Sequence, residues 1–513
     1  MAQKIGNEDW KLTRLIILTL GRLFAALKKW VGNINRKSEG KYTPAFIGWS
    51  SAFLSVLILV IILFIPPFVG MSDNGSFART ANPVGIYHKE DTRENLYFNY
   101  YVREYLSLAP EKSIKTVVSS LQPLIYIAKA IDDIFSRDTI FDLRFLALLY
   151  GILYIPAIAL LIKQAAYRAR TFSESVVVGA AGVLVFADVS YIAYFSSFYP
   201  EPMMFVTLLY CIGSAFALHR GEHNIVYLAI YTISGIVLTT VENQCAIAGL
   251  FLGILGVRFM FTRKNIFLRL AWGSSAMLLF LSMLISVYFI PSTYTQASKY
   301  HAMTRGVLLQ SSDPDKTLKE FGIDSSYSIL TDTSTFDEYP IINPYNKALE
   351  KDFYNRYSTT EIAFYYLKHP RALTAMLDIS VKAAFNVRNG YTGNYEKSAG
   401  LPKLAKSLFW SMWSNFKMNS APKTVGFIAV LLIGIVLLFN RKALEKSGNI
   451  HTKNFSLLEV MTVIFLMAIS QAIITIVNSG DAELQQHLFL FGTSVDILSY
   501  FCFSELLHKL RIF

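Results

Sequence analysis

The acids with the best prospects for chemistry stand at the ends of apolar runs. Asp73 follows the first run in MSDNGSFART, Glu201 lies between Pro200 and Pro202, Glu242 breaks the run 225–262, and Asp481 and Glu483 follow a later run in NSGDAELQQ. A carboxylate shielded at the mouth of an apolar bundle has its charged form disfavoured, so its pKa rises toward the range where it accepts a proton from a hydroxyl. Asp73 is the first candidate for such a base. It equally offers hard oxygen atoms to a divalent metal such as Mg or Mn, with Glu201 or Glu483 as co-ligand. With Asn74 and Gly75 it also reads as an Asx turn that stops a helix. Glu90 and Asp91 in HKEDTRE are further acids, within a charge run of the kind that commonly forms a solvated face.

The two long polar stretches that hold these sites also carry cations, among them Arg79, Lys89, Arg93, Lys299, Arg305 and Arg388. One or two of them suffice to hold a phosphate at headgroup depth, and Arg79 is nearest to Asp73 in sequence. Ordinary surface charge is the competing reading for each. His487, after DAELQQ, is a candidate phosphate or metal contact, or a polar cap. Asp188 and Asp496 fall inside apolar runs, where an acid faces a polar cavity or is hydrogen-bonded to a neighbouring helix.

These residues need a scaffold, and the composition names its class. The chain has 513 residues, 53% of them hydrophobic and only 16% charged, against roughly a quarter charged in soluble domains. The expectation is an all-α polytopic membrane protein of about ten transmembrane helices. Apolar stretches suited to about 30 Å of hydrocarbon occur near 45–69, 142–163, 174–194, 202–218, 225–241, 244–262, 267–290, 424–440, 455–477 and 487–507. The formal net charge is +12, but residues 1–41 alone carry nine Lys or Arg against three acids. The stretch WKLTRLIILTLGRLFAALKKW suits a basic helix lying on an anionic leaflet, not a nucleic-acid site.

If the basic N-terminus is cytoplasmic, the short loops KQAAYRAR, HRGEH, FTRKN, NRKALEKSGNIHTKN and the tail HKLRIF share its side, and each carries Lys or Arg. Both termini are then cytoplasmic in a multi-pass protein of the plasma membrane. The expected organisation is a cytoplasmic interfacial helix at 1–43, a bundle at 44–290 with a first outer loop at 70–141, a smaller extracytoplasmic mixed domain at 291–423, and closing transmembrane helices at 424–513. In the first loop, SSLQPLIYIAKAIDDIF reads as an interfacial helix led by Pro123. The acids above then come from separate outer turns and converge on one cleft. No Walker A loop, GxGxxG, HExxH or CxxC pair occurs. Cys211, Cys245 and Cys502 all sit in apolar runs and read as small core residues.

The layout resembles the GT-C class of membrane glycosyltransferases: one span, a long outer loop opening with an acid, a string of short-looped spans, then a second large outer segment. The stretches that carry the likeness are MSDNGSFART, SSLQPLIYIAKAIDDIF, YFSSFYPEPMMFVTLLY and GIVLTTVENQCAIAGLFLGIL. The ending GDAELQQHLFLFGTSVDIL is similar to bacterial glycan-biosynthesis hexosyltransferases of that class. The resemblance implies inverting transfer of a hexose from a polyprenyl-phosphate donor to a cell-envelope glycan acceptor at the outer face. It implies Asp73 as base or orienter of the acceptor hydroxyl, and Glu201 and Glu242 as lining of the cleft. Arg79 or a cation of the second outer segment, such as Arg305, would hold the donor phosphate. Asn74 directly after Asp73 departs from the paired-acid motif of the class and tells against a two-carboxylate metal site there. A flippase for lipid-linked glycans, or a glycan polymerase or ligase, remains the alternative.

Overall fold

The computed structural model describes residues 42–89, 92–110, 119–136, 138–222, 224–289, 292–440, 457–482 and 484–511, with a few positions between 29 and 38. Nearly all of the basic N-terminal stretch, Glu90, Asp91, Glu483 and the basic loop 441–454 lie outside the described residues.

In chain order the described elements used below are α1 (Pro44–Phe64), β1 (Ile86–Tyr87), β2 (Glu104–Ser107), α2 (Gln122–Ser136), β3 (Ile140–Asp142) and α3 (Arg144–Ala166). They continue with α4 (Phe172–Phe186), α5 (Glu201–Arg220), α6 (Asn224–Thr240), α7 (Ala246–Thr262), α8 (Ile266–Tyr288), α9 (Thr359–Lys368) and α10 (Pro370–Phe385). The last are α11 (Val425–Phe439), α12 (Leu457–Ser479) and α13 (Phe489–Leu510).

Local chemistry sets where the helices begin. The Thr43 hydroxyl accepts from the Phe46 amide at 3.2 Å with Pro44 just inside, Thr171 accepts from Glu174, and Asn265 accepts from Phe267 at 2.8 Å. Each satisfies an amide that the first turn leaves without an intrahelical partner. Each of the ten apolar stretches read from the sequence contains a helix. Among the described residues, seven helices are long and apolar enough to cross a membrane, or eight if α4 and the turn Val189–Phe195, bent by 44°, count as one. Helices α6 and α11 are shorter.

The two ends of the bundle differ in chemistry. One collects basic side chains: Arg168 pairs with Glu505 at 2.5 Å, Arg258 with Glu459 at 2.7 Å, Lys163 with Glu222, and Arg220 donates to Gln164 at 2.6 Å. The other end carries both long connecting segments. In the first, β1, β2 and β3 form an antiparallel sheet in that order. Helix α2 turns Ile125, Ala128 and Asp132 inward while leaving Ile127, Ile134 and Phe135 exposed. That is the apolar outer face expected of an interfacial helix.

The second segment has its own small core, in which Tyr300, Met303, Leu330, Phe353, Ile362 and Met376 pack against Ile476 and Val477 of α12. The expected mixed character belongs to the other segment: among the described residues of 292–423 there are helices and turns but no strand. The reason is local. Its polar turns are helix starts, with the Asp313 carboxylate accepting from the Lys316 amide ahead of Pro314 and a capping box between Ser358 and Glu361.

Candidate functional site

A backbone strap assembles the site. Residues 69–73, just beyond α1, lie against 393–395: the Gly70 amide donates to the Asn394 carbonyl at 3.0 Å and the Ser72 amide to the Gly393 carbonyl at 3.0 Å. The Gly393 amide returns a bond to Ser72 Oγ at 2.9 Å, and Asn394 Nδ2 donates to the Gly70 carbonyl at 2.6 Å. A Cβ at Gly393 would lie 2.2 Å from the Asn99 carbonyl oxygen, so only glycine permits this approach. On the other side the Phe98 amide donates to the Asp73 carbonyl at 2.7 Å.

The Asp73 side chain is 1% exposed. Its Oδ1 accepts from the Gly75 amide at 2.7 Å and the Phe77 amide at 3.1 Å, which is the Asx turn weighed from the sequence, with Gly75 at φ +96°. Its Oδ2 faces Nε2 of His88 at 3.1 Å. His88 follows β1 and packs against Tyr97 and Tyr105, with ring centroids at 5.7 and 5.2 Å. The buried His88 Nδ1 and Tyr105 hydroxyl make no hydrogen bond among the described residues. The Tyr199 hydroxyl donates to the Ser72 carbonyl at 2.9 Å and accepts from the Asn74 amide at 3.0 Å. Burial, with Asp73 beside them, holds both tyrosines well above their usual pKa.

Beyond Tyr199 lie the other acids. Glu201, the first residue of α5, is 2% exposed and its Oε2 makes no hydrogen bond among the described residues. Glu242, between α6 and α7, faces Arg79 at 3.6 Å. Burial raises the Glu242 pKa, while Arg79 pulls it back. Gln244 contacts His487 directly. Burial lowers the His487 pKa to about 4, with Arg79 and His301 adding repulsion. Three turns far apart in sequence therefore meet: 73–79, 199–201 and 242–244, with His487 beside them.

The remaining candidates are placed differently. Arg305 is committed to Asp481, Nε to Oδ1 at 2.6 Å, and to Asp332 at 2.8 Å, so a phosphate there would compete with two carboxylates. Asp496 accepts from the Tyr191 hydroxyl, Trp413 Nε1 and Lys417 Nζ. Asp188 accepts from the Ser190 and Ser414 amides at 2.9 and 3.0 Å. Both acids are hydrogen-bonded within the packed bundle. His88 and Gln244 were not singled out from the sequence. Neither sits in a motif, and their relation to Asp73 and His487 exists only across the folded chain.

No group of three His, Cys, Asp or Glu suited to a metal ion occurs among the described residues; Glu483, one of the two acids offered as a co-ligand to Asp73, lies outside them.

No curated protein matches the chain. Among solved structures, the archaeal oligosaccharyltransferase AglB from Archaeoglobus fulgidus, in complex with an inhibitory peptide and a dolichol-phosphate, is similar at 12% identity and a TM-score of 0.38. The match covers 90% of this chain and 51% of that one, so the chain spans about half the length of AglB. The model of the family described as the YfdI N-terminal transmembrane domain matches residues 34–513, and the chain, a multi-pass membrane protein, belongs to that family.

Proposed function

We propose that this protein is a membrane glycosyltransferase that moves a hexose, with inversion, from a polyprenyl-phosphate donor to a cell-envelope glycan on the outer face of the plasma membrane. The observation that carries the reading is the meeting of Asp73, Glu201, Glu242 and Arg79 from separate turns at one end of an apolar bundle. The GT-C resemblance of the sequence supports it. So does the basic character of the opposite end, which the positive-inside rule turns toward the cytoplasm.

In this reading the acceptor hydroxyl oxygen bonds to the anomeric carbon as the bond from that carbon to the phosphate oxygen breaks. The electron pair leaves with the lipid phosphate, and the hydroxyl proton passes to the Asp73 carboxylate. Oδ2 takes the proton, because Oδ1 is held by two amides. His88 orients that oxygen. Glu201 and Glu242 line the acceptor side, and Arg79 offsets the charge of Glu242. The step consumes no nucleotide and is routed through no metal.

Asp73→Asn separates chemistry from architecture, since an Asn carbonyl still accepts from the Gly75 and Phe77 amides. With radiolabelled polyprenyl-phosphate hexoses and purified protein in lipid, transfer should fall by about 10²–10⁴-fold while the unfolding temperature is kept. Full transfer by the variant would sink this mechanism.

A further inference from the structure

Two cations flank the strap beside Asp73. Arg388 precedes it and Lys406 follows it, and the strap folds back so that the Asn394 amide donates to the Ala405 carbonyl at 2.9 Å. Val387, next to Arg388, accepts from the Tyr194 hydroxyl at 3.3 Å. That fixes the start of the strap against the bundle end. Arg388 Nε and Nη2 and Lys406 Nζ are all buried, and none has a hydrogen-bond partner among the described residues.

One carboxylate lies close enough to offset part of their charge, but it makes no hydrogen bond to either. Asp188 is that acid: its charge favours the Arg388 cation, while its two oxygens accept from the Ser190 and Ser414 amides, so two cations face one carboxylate and keep their donors unfilled. Burial, with the like charge of Arg388 adding to it, lowers the Lys406 pKa to about 8. Burying two like charges with idle donors is costly, and folded proteins ordinarily avoid it or supply an anion. The donors also match one anion in particular. A guanidinium edge offers two parallel N–H groups and an ammonium adds a point charge, an arrangement that grips tetrahedral oxyanions with several terminal oxygens.

We propose that Arg388 and Lys406 form a phosphate-binding site that takes the phosphate of the lipid-linked donor, one strap away from Asp73. The lipid part of this assignment rests on the reading in the preceding section; the phosphate chemistry rests on the donors alone. The site also accounts for the glycine and amide ladder at 393–394, which fixes both cations relative to the Asp73 segment.

The test uses full-length protein in nanodiscs of neutral phosphatidylcholine, titrated separately with inorganic phosphate and with a short-chain polyprenyl monophosphate. Binding and unfolding temperature are read for wild type, Arg388→Gln, Lys406→Gln and Lys406→Arg. The prenyl phosphate should bind wild type and weaken at least tenfold in each Gln variant, with Lys406→Arg keeping most of the affinity. Without phosphate, the Gln variants should unfold no lower than wild type, because each removes a buried charge whose donors make no hydrogen bond. Unchanged binding in both Gln variants overturns the site. A lower unfolding temperature in both without phosphate does so too, since it would make the cations structural. Inorganic phosphate binding as tightly as the prenyl ester overturns the lipid assignment. A parallel transfer assay keeps the two readings apart: phosphate binding that depends on Arg388 in a protein that transfers no sugar preserves the site and removes the glycosyltransferase, and transfer unaffected by either Gln variant does the reverse.

Discussion

Two buried charged centres stand near each other in this molecule and are built in opposite ways. Lys417 and Asp496, each 1% exposed, lie 2.8 Å apart, and Tyr191 and Trp413 complete the carboxylate's shell. Arg388 and Lys406 have the same sign and leave three buried nitrogens without a hydrogen bond among the described residues. The first centre is closed: the Tyr191 hydroxyl, Trp413 Nε1 and Lys417 Nζ all donate to Asp496, as a locked helix contact requires. The second is open: two cations share the field of Asp188, and their buried donors make no hydrogen bond among the described residues. A buried charge marks a ligand site when its partners are missing rather than merely when it is buried.

The largest effect that would break this contrast is at the closed centre. Lys417→Met leaves Asp496 buried without its counter-ion and should cost about 3–5 kcal/mol, read by denaturant unfolding in lipid or detergent. The double change Lys417→Met with Asp496→Leu should recover part of that loss but not all, because Tyr191 and Trp413 lose their acceptor. No loss in the single variant would place the pair among the open sites.

Histidine gives a third case, charge avoided altogether. His301 and His487 are held near pKa 4 chiefly by burial, against about 6.5 in the unfolded chain. Between those values the unfolded chain binds protons that the folded one refuses, so stability falls as the pH drops from about 6.5 to about 4 and levels off below. Each residue contributes up to about 3 kcal/mol by this linkage. Unfolding temperature against pH should show the slope, and His301→Gln should reduce it by about half, His487 supplying the rest; a flat wild-type profile would contradict the burial.

The smallest effect belongs to the half-open pair. Arg305 and Asp481 are 26% and 16% exposed, so solvent screens their bond, and Arg305→Ala should lower stability by only about 0.2–1 kcal/mol. If Arg305 is a structural clamp, prenyl phosphate binding should be unchanged in that variant. A tenfold weaker affinity would move the phosphate site away from Arg388.

The bundle was legible because a helix in hydrocarbon must satisfy its own backbone and therefore writes itself as an apolar run. The break at Glu242, Asn243 and Gln244 appears as the short turn between α6 and α7, and the three cysteines are free. Span count was less secure: α6 and α11 are helices, but shorter than a span ordinarily needs. The sheet was missed because two- to four-residue strands such as Ile86–Tyr87 carry no alternation long enough to read.

The sequence by itself determined the class of the protein, the positions of its helices, and the set of acids at their ends, since each depends on composition or spacing within one stretch of chain. Only the tertiary structure decided what those acids touch. His88, just after β1, reaches Asp73, Gln244 reaches His487 across 243 residues, and the strap between Arg388 and Lys406 is hydrogen-bonded to Gly70 and Ser72. Contacts of this kind depend on backbone approach and burial, which no local pattern of residue types records.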